Sequence, residues 1–335
     1  MPDEIVIVAK QAFELASYED LPLKAGEVRG RTLYTLVSQG TELGWANGDA
    51  FPIRPGYAAV FRVDEVAGDV VGLRPGELRF AMGAHRATQT HLARHTLPLP
   101  ADLDPGTATL ARLMGVSMTT LMTTMARPGD RVVITGAGPV GFLAAHLFNI
   151  SGYRVTVVDP DERRRAQLAR SGLSDCRERM PLGQDAFAGR VALVVDCSGH
   201  ENAILDGCRL VRRLGEVVMV GVPWRKWTDA SAHDLMNAVF FNLATLRSGW
   251  EWEIPLHAQG FQWEELLAGY NNAPHSVFGG FSLALDWHAE GRIPLDGLIR
   301  LVVPNNPSSL YSDIAAKRIE EPFIVLDWTR LEGEE

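Results

Sequence analysis

Apolar and polar residues alternate in short runs between Glu4 and Val63, in IVIVA, VRGRTLYTLVS and YAAVFRVDEV, with Gly and Pro as punctuation. A period of two bounded by turn residues predicts β-strands with one buried face. The Gly- and Pro-rich stretch from Asp69 to Pro100 continues that pattern as further strands and their loops. Helical spacing begins only after Asp104, in TATLARLMGVSMTTLMTTMAR, which is long enough for two helices or one kinked helix. From Asp130 the pattern changes to an apolar run, a glycine turn, an amphipathic segment, a second apolar run and a second amphipathic segment. VALVVDCSG, NAILDGCRLVRRLG and EVVMVGV extend the alternation. Unbroken apolar runs separated by helices are the pattern of a parallel sheet covered on both faces. Beyond Phe261 helices mix with the strand RIPLDGLIRLVV, and PFIVLDW predicts a last strand that returns to the β-rich beginning. The expected fold class is therefore α/β, with a doubly wound parallel sheet over residues 116–255 inserted in a β-rich domain formed by residues 1–115 and 256–335.

Length and charge narrow this picture. The chain has 335 residues, more than one hydrophobic core accommodates, so two domains are expected. Its formal net charge of −9 argues against a nucleic-acid partner and against an anionic membrane surface, both of which need a basic face. The start, MPDEIVIVAKQAF, lacks the basic opening and long apolar run of a signal peptide, and no apolar run approaches a membrane span, so a cytoplasmic location is expected. Cys176, Cys197 and Cys208 form no C-x-x-C pair and stand near no histidine at ligand spacing, which excludes a cysteine-rich zinc lobe.

Gly136-Ala137-Gly138-Pro139-Val140-Gly141 is a G-x-G-x-x-G turn placed after the strand RVVIT and before the helix FLAAHLFNIS. In that context the first glycine makes the tight turn, the second lets the backbone approach a pyrophosphate, and the third allows helix and strand to pack closely. Asp159 closes the second apolar run, where a carboxylate accepts the adenosine ribose hydroxyls and repels a 2′-phosphate. NAD(H) is thus the expected cofactor. The following Arg163, Arg164 and Arg165 keep NADP(H) open: they form either a solvated charged face or, through Arg164, a lid on the adenine. Cys197-Ser198 and Gly221-Val222 end the next two strands, at the edge where the sheet borders a dinucleotide. Cys197 reads as a buried strand-end residue rather than a nucleophile.

A β-rich first third, GAGPVG, a second-strand aspartate, DCSG and VGV occur in the order found in the medium-chain dehydrogenase/reductase superfamily, which the chain resembles over nearly its whole length. The resemblance implies a GroES-like β-barrel catalytic domain, an inserted Rossmann domain, a small-molecule substrate and a homodimer. It also places the family's metal-binding positions on this sequence. In SQGTELGWANG the zinc cysteine is replaced by Gln39, the substrate-facing hydroxyl falls on Thr41, and the following acid on Glu42. In Pro55-Gly56-Tyr57-Ala58 the histidine ligand becomes Tyr57, and the third ligand falls on Ala111 or Arg112. No metal is expected. The S-x-G-T-E loop followed by P-G-Y is similar to the zinc-lacking branch that includes bacteriochlorophyllide-type dehydrogenases.

Without zinc, the substrate oxygen needs hydrogen-bond donors. Tyr57 is the candidate donor, with barrel packing as its alternative role; Thr41 adds a hydroxyl, and Glu42 orients the loop or the substrate. His85 is a candidate proton shuttle or a structural histidine, Gln39 and Arg112 occupy ligand positions, and His91 and His95 read as surface residues. Trp224, Trp227, Trp250, Trp252, Phe240, Phe241, Trp263 and Tyr270 suit a bulky planar substrate or a subunit interface. The expected function is hydride transfer between nicotinamide and a secondary alcohol or ketone. Reduction of an activated C=C bond, as in enone and quinone reductases, and a non-catalytic dinucleotide-binding subunit are the alternatives.

Overall fold

The computed structural model describes residues 1–258 and 275–331. Trp263 and Tyr270 lie outside the described residues. The chain divides into two compact units: residues 1–112, 284–291 and 295–335 form one, and residues 113–283 with 292–294 form the other.

The first unit begins with β1 (Asp3–Ala9) and β2 (Ala12–Ser17), an antiparallel pair. It continues with β3 (Glu27–Leu36), α1 (Gln39–Ala46), β4 (Ala58–Val66), β5 (Leu78–Ala81), β6 (Thr88–Leu92) and β7 (Thr96–Pro98). α2 (Pro105–Ala108) follows, and α3 (Ala111–Thr123) begins here and has residues 113–123 in the second unit, so the Thr107–Arg127 stretch is a short helix and a longer one. β3, the longest strand of this sheet, pairs with β4 on one side and carries β6 as well. Alternation is visible in the packing: Val28, Phe61, Val63 and Ala81 form one apolar cluster, and Ile5, Ile7, Phe13, Val37, Ile324 and Leu326 another. α1 is a departure from expectation. The sequence reads as a loop there, since Gly40 and Gly44 weaken helix propensity. Glu42 in the first turn accepts from the Ser38 amide at 2.7 Å and closes the helix start.

The second unit holds β8 (Arg131–Thr135), α4 (Pro139–Ile150), β9 (Arg154–Val158), α5 (Glu162–Arg170), β10 (Cys176–Arg177), β11 (Val191–Asp196), α6 (Glu201–Leu210), β12 (Val211–Met219), α7 (Ala232–Asn242) and β13 (Thr245–Ser248). These six strands are parallel, in the order β10-β9-β8-β11-β12-β13. The order reverses between β8 and β11, and such a switch point opens a ligand crevice at the carboxyl ends of the strands. All six residues of β11 are buried, as a strand covered on both faces requires. α6 ends earlier than its sequence suggests, because the chain passes straight into β12 at Val211.

Within α4, His146 is 3% exposed and its Nε2 meets Ser171 Oγ at 2.8 Å. Burial disfavours its cation and lowers its pKa from 6.5 to about 4. Between those values the unfolded chain binds the proton that the folded chain refuses, so stability rises with pH. Above pH 6.5 the neutral ring contributes its full effect, roughly 3 kcal/mol, which is lost as pH falls toward 4. Urea unfolding of His146→Gln is expected to show a shallower loss of stability over that window than the parent chain; equal slopes would refute it.

After α8 (Val277–Ala289), the first unit is completed by β14 (Ile299–Val302), α9 (Pro307–Ala315) and β15 (Phe323–Asp327). β15 pairs with β3, Val325 opposite Leu36, as the terminal apolar run implied. The sheet order is β14-β15-β3-β4-β5-β7. Among the described residues no helix is long and apolar enough to cross a membrane.

Candidate functional site

The glycine turn joins β8 to α4 in the second unit. Gly136 has φ +84°, and a Cβ there would stand 3.1 Å from Ser198. At Gly141 a Cβ would fall 1.7 Å from Gly136 O, so the helix sits against the turn at a distance only glycine allows. Gly138 differs. A Cβ on it would meet no protein atom within 4 Å, so nothing in the protein requires glycine there, at the N-cap of α4. Pro139 occupies the first helical turn, where no amide hydrogen is needed for the helix, and Val140 follows it. A turn with open space at its second glycine beside a helix N-terminus fits a dinucleotide pyrophosphate.

Asp159 follows β9 and is 2% exposed. Its Oδ2 accepts from Ala137 N at 2.6 Å and its Oδ1 from Asp161 N at 2.8 Å. Each carboxylate oxygen accepts more than one hydrogen bond, so ribose hydroxyls retain acceptor positions. Arg164 Nη1 stands 3.5 Å from Asp159 Oδ2, while Arg165 donates to the Asp159 carbonyl and Arg163 lies near Asp161. The arginine run is thus tied around the aspartate, with Arg164 closest to its carboxylate.

Asp196, at the end of β11, was not singled out in the sequence. It is fully buried and gathers Thr135 Oγ1 at 2.6 Å, Ser198 Oγ at 2.5 Å, Ser198 N at 3.1 Å and Gly199 N at 2.9 Å. One carboxylate therefore fixes the end of β8 and the Ser198-Gly199 turn. Gly221 is pressed against that turn, since a Cβ on it would lie 2.4 Å from Gly199 N, and Val222 beyond it is exposed. Cys197 stands close to Gly141; it is partly exposed rather than the buried strand-end residue expected, and desolvation raises its thiol above the ordinary range.

The second set of residues lies in the first unit. Gln39, Thr41 and Glu42 share the first turn of α1. Gln39 Nε2 donates to Pro322 O at 2.9 Å, and Thr41 Oγ1 lies 3.1 Å from Ser38 Oγ. Tyr57 follows Gly56, whose φ of +135° and whose closeness to Ala84 and His85 require glycine. The Arg112 guanidinium lies over the Tyr57 ring, 4.1 Å from its centroid, and Arg112 is 4% exposed. Two positions that the family resemblance gives to metal ligands are thus adjacent, and they hold a phenol and a cation. Glutamine, tyrosine and arginine do not make the sulfur and nitrogen donor set of a catalytic zinc. Among the described residues, no three His, Cys, Asp or Glu side chains stand close enough together to hold a metal ion.

Glu42 and His85 are both fully buried. Glu42 accepts from Ser38 N at 2.7 Å, from Tyr311 Oη and from His85 Nε2 at 3.2 Å. His85 Nδ1 meets Thr35 Oγ1 at 2.7 Å. His91 differs from its expected surface position: it is partly covered, with a pKa lowered to about 4 by desolvation and by Arg86. Trp224 and Trp227 are half exposed on the segment after β12, where Arg225 lies 3.6 Å over the Trp227 ring.

Residues 139–250 match the model of a family described as "Zinc-binding dehydrogenase". The chain is 31% identical over 137 residues to L-galactonate-5-dehydrogenase of Escherichia coli, covering 37% of this chain and 38% of that one. It is 27% identical over 162 residues to L-threonine 3-dehydrogenase of Bacillus velezensis, covering 46% of each. The chain thus spans less than half the length of these curated relatives. Its structure superimposes on galactitol-1-phosphate dehydrogenase of Escherichia coli with a TM-score of 0.78 at 15% identity, covering 97% of this chain and 99% of the other. The fold is that of the medium-chain dehydrogenases. Within that medium-chain framework the family match falls wholly inside the second unit, and it does not reach Gln39, Tyr57 or Arg112.

Proposed function

We propose that this chain is an NAD(H)-dependent dehydrogenase or reductase of a secondary alcohol or ketone that works without zinc. The observation that carries the reading is the Arg112 guanidinium seated on the Tyr57 ring. A divalent cation held at Tyr57 would be repelled by that guanidinium at close range. The zinc-lacking branch suggested by the Ser38–Thr41 loop and by Pro55-Gly56-Tyr57 is in keeping with this chemistry.

Gly136, Gly138, Pro139, Val140 and Gly141 hold the pyrophosphate, Asp159 the adenosine ribose, and Arg164 borders the adenine, while Cys197, Ser198, Gly221 and Val222 border the remainder of the dinucleotide. When bound, NAD(H) supplies or receives the hydride. Tyr57 donates its phenolic hydrogen to the substrate oxygen, and the guanidinium over its ring stabilises negative charge that develops there. Thr41 supplies the second hydroxyl, and Gln39, whose amide hydrogen is committed to Pro322, offers its carbonyl as an acceptor. Asp159 supports NAD(H) over NADP(H) through repulsion of a 2′-phosphate. The expected small-molecule substrate and cytoplasmic homodimer belong to the same reading, and Phe240 and Phe241, about 70% exposed on α7 beside the edge strand β13, suit the subunit interface.

Chelation tests the reading. After exhaustive dialysis against a strong chelator, NADH formation from NAD+ and a panel of secondary alcohols and polyols is expected at an unchanged rate. Loss of activity that zinc alone restores would overturn the metal-free mechanism.

A further inference from the structure

Five side chains of the first unit form one buried chain of hydrogen bonds. Trp328 Nε1 lies 2.9 Å from Thr35 Oγ1, Thr35 Oγ1 lies 2.7 Å from His85 Nδ1, and His85 Nε2 faces both Glu42 oxygens at 3.3 and 3.2 Å. Tyr311 Oη and the Ser38 amide close on the same carboxylate. Trp328 is 4% exposed, Tyr311 2%, and Thr35, His85 and Glu42 are at zero.

An indole N–H only donates, so Thr35 Oγ accepts from Trp328, and its own hydrogen is available to His85 Nδ1. Nδ1 is then the acceptor of a neutral ring, and Nε2 carries the hydrogen toward Glu42. The carboxylate in turn receives hydrogens from His85, Tyr311 and Ser38 N. This assignment, with neutral His85, ionised Glu42 and protonated Tyr311, satisfies all five groups, and it leaves a doubly protonated ring as the alternative that the test below separates. The adjacent carboxylate and burial both keep the Tyr311 phenol protonated, well above its usual range.

We infer that this network, and Tyr311 and His85 in particular, positions the two loops that carry Thr41 and Tyr57, and that His85 holds its proton rather than shuttling it. The inference rests on the reading of Thr41 and Tyr57 as substrate donors. Glu42 anchors the first turn of α1, where Gln39 and Thr41 sit. The backbone of His85 anchors the other loop: its amide donates to Pro55 O at 2.8 Å, and the Gly56 backbone presses on Ala84 and His85 so closely that a Cβ would fall 2.4 Å away. A single residue thus ties the Thr41 turn through its ring and the Tyr57 turn through its main chain. A displacement of about 1 Å in a reacting group costs on the order of 10²-fold in rate.

The test has two arms. Long-range 1H–15N spectra of the whole chain at neutral pH are expected to show His85 with a bare Nδ1 and a protonated Nε2. A doubly protonated ring, or the opposite tautomer, overturns the inference, and this arm needs no substrate. In the second arm His85→Gln, which keeps a donor for Glu42 and an acceptor for Thr35, is expected to retain turnover of the best alcohol in the panel within about threefold, with an unshifted pH profile, whereas His85→Leu and Tyr311→Phe lose about 10- to 100-fold in kcat with NADH affinity intact. Equal loss in the Gln and Leu variants would mean that His85 moves the proton itself; full kcat in Tyr311→Phe would mean that the network is only structural. If His85→Leu does not fold, Tyr311→Phe, which keeps the ring stacked on Phe13, carries the comparison. Should Tyr57→Phe and Thr41→Ala keep full turnover while the spectra match, the donor reading fails and the hydrogen-bond assignment stands.

Discussion

Tyr57→Phe is expected to lower kcat by about 10²- to 10³-fold with NADH binding unchanged, the usual effect of removing one preorganised donor from a developing oxyanion. The phenyl ring keeps the face on which Arg112 rests, so the surrounding packing is preserved and the deleted group is the hydroxyl alone. Gly56 holds its backbone against Ala84 and His85 in either chain, which keeps residue 57 in place. Stopped-flow measurement of the hydride step at saturating NADH reads the effect directly. Turnover within about threefold of the parent would remove Tyr57 from the chemistry and return it to packing.

The second large effect separates two glycines of one motif. Gly141→Ala places a methyl 1.7 Å from Gly136 O, a backbone atom with no freedom to withdraw. A loss of stability above about 3 kcal/mol is expected, together with loss of the nucleotide turn. Gly138→Ala meets no protein atom, so its stability should stay within about 1 kcal/mol of the parent, while NADH affinity falls at least about tenfold because the methyl occupies the ligand's space. Thermal unfolding and NADH fluorescence titration of the two variants decide the matter. A Gly138→Ala protein that binds NADH like the parent, or a Gly141→Ala protein that melts with it, would refute the assignment of the turn.

The parallel-sheet unit was legible because its signals are local. RVVIT, the three glycines and a helical run are contiguous, and their spacing alone dictates strand, turn and helix. PFIVLDW was legible for a similar reason, as an uninterrupted apolar run long enough only for a buried strand. What escaped were partnerships between residues distant in the chain. Glu42 is a carboxylate in a glycine-containing segment, and nothing nearby tells that His85 and Tyr311 bury it. Asp196 sits inside DCSG as one polar residue after a strand, yet it organises Thr135, Ser198 and Gly199. Tyr57 and Arg112 were each placed by family resemblance, but their stacking across 55 positions is a fact of the fold alone.

The seating of β15 between β14 and β3 bears on how the molecule is made. Leu36 finds its partner Val325 only when nearly the whole chain has left the ribosome, whereas the parallel sheet of the second unit needs nothing beyond residue 248. During synthesis the unit with the parallel sheet can therefore mature first, and the unit bearing Thr41 and Tyr57 waits with an open sheet edge for β15. A premature stop before Phe323 would leave the parallel sheet complete and the Thr41 and Tyr57 segments without the support of β15.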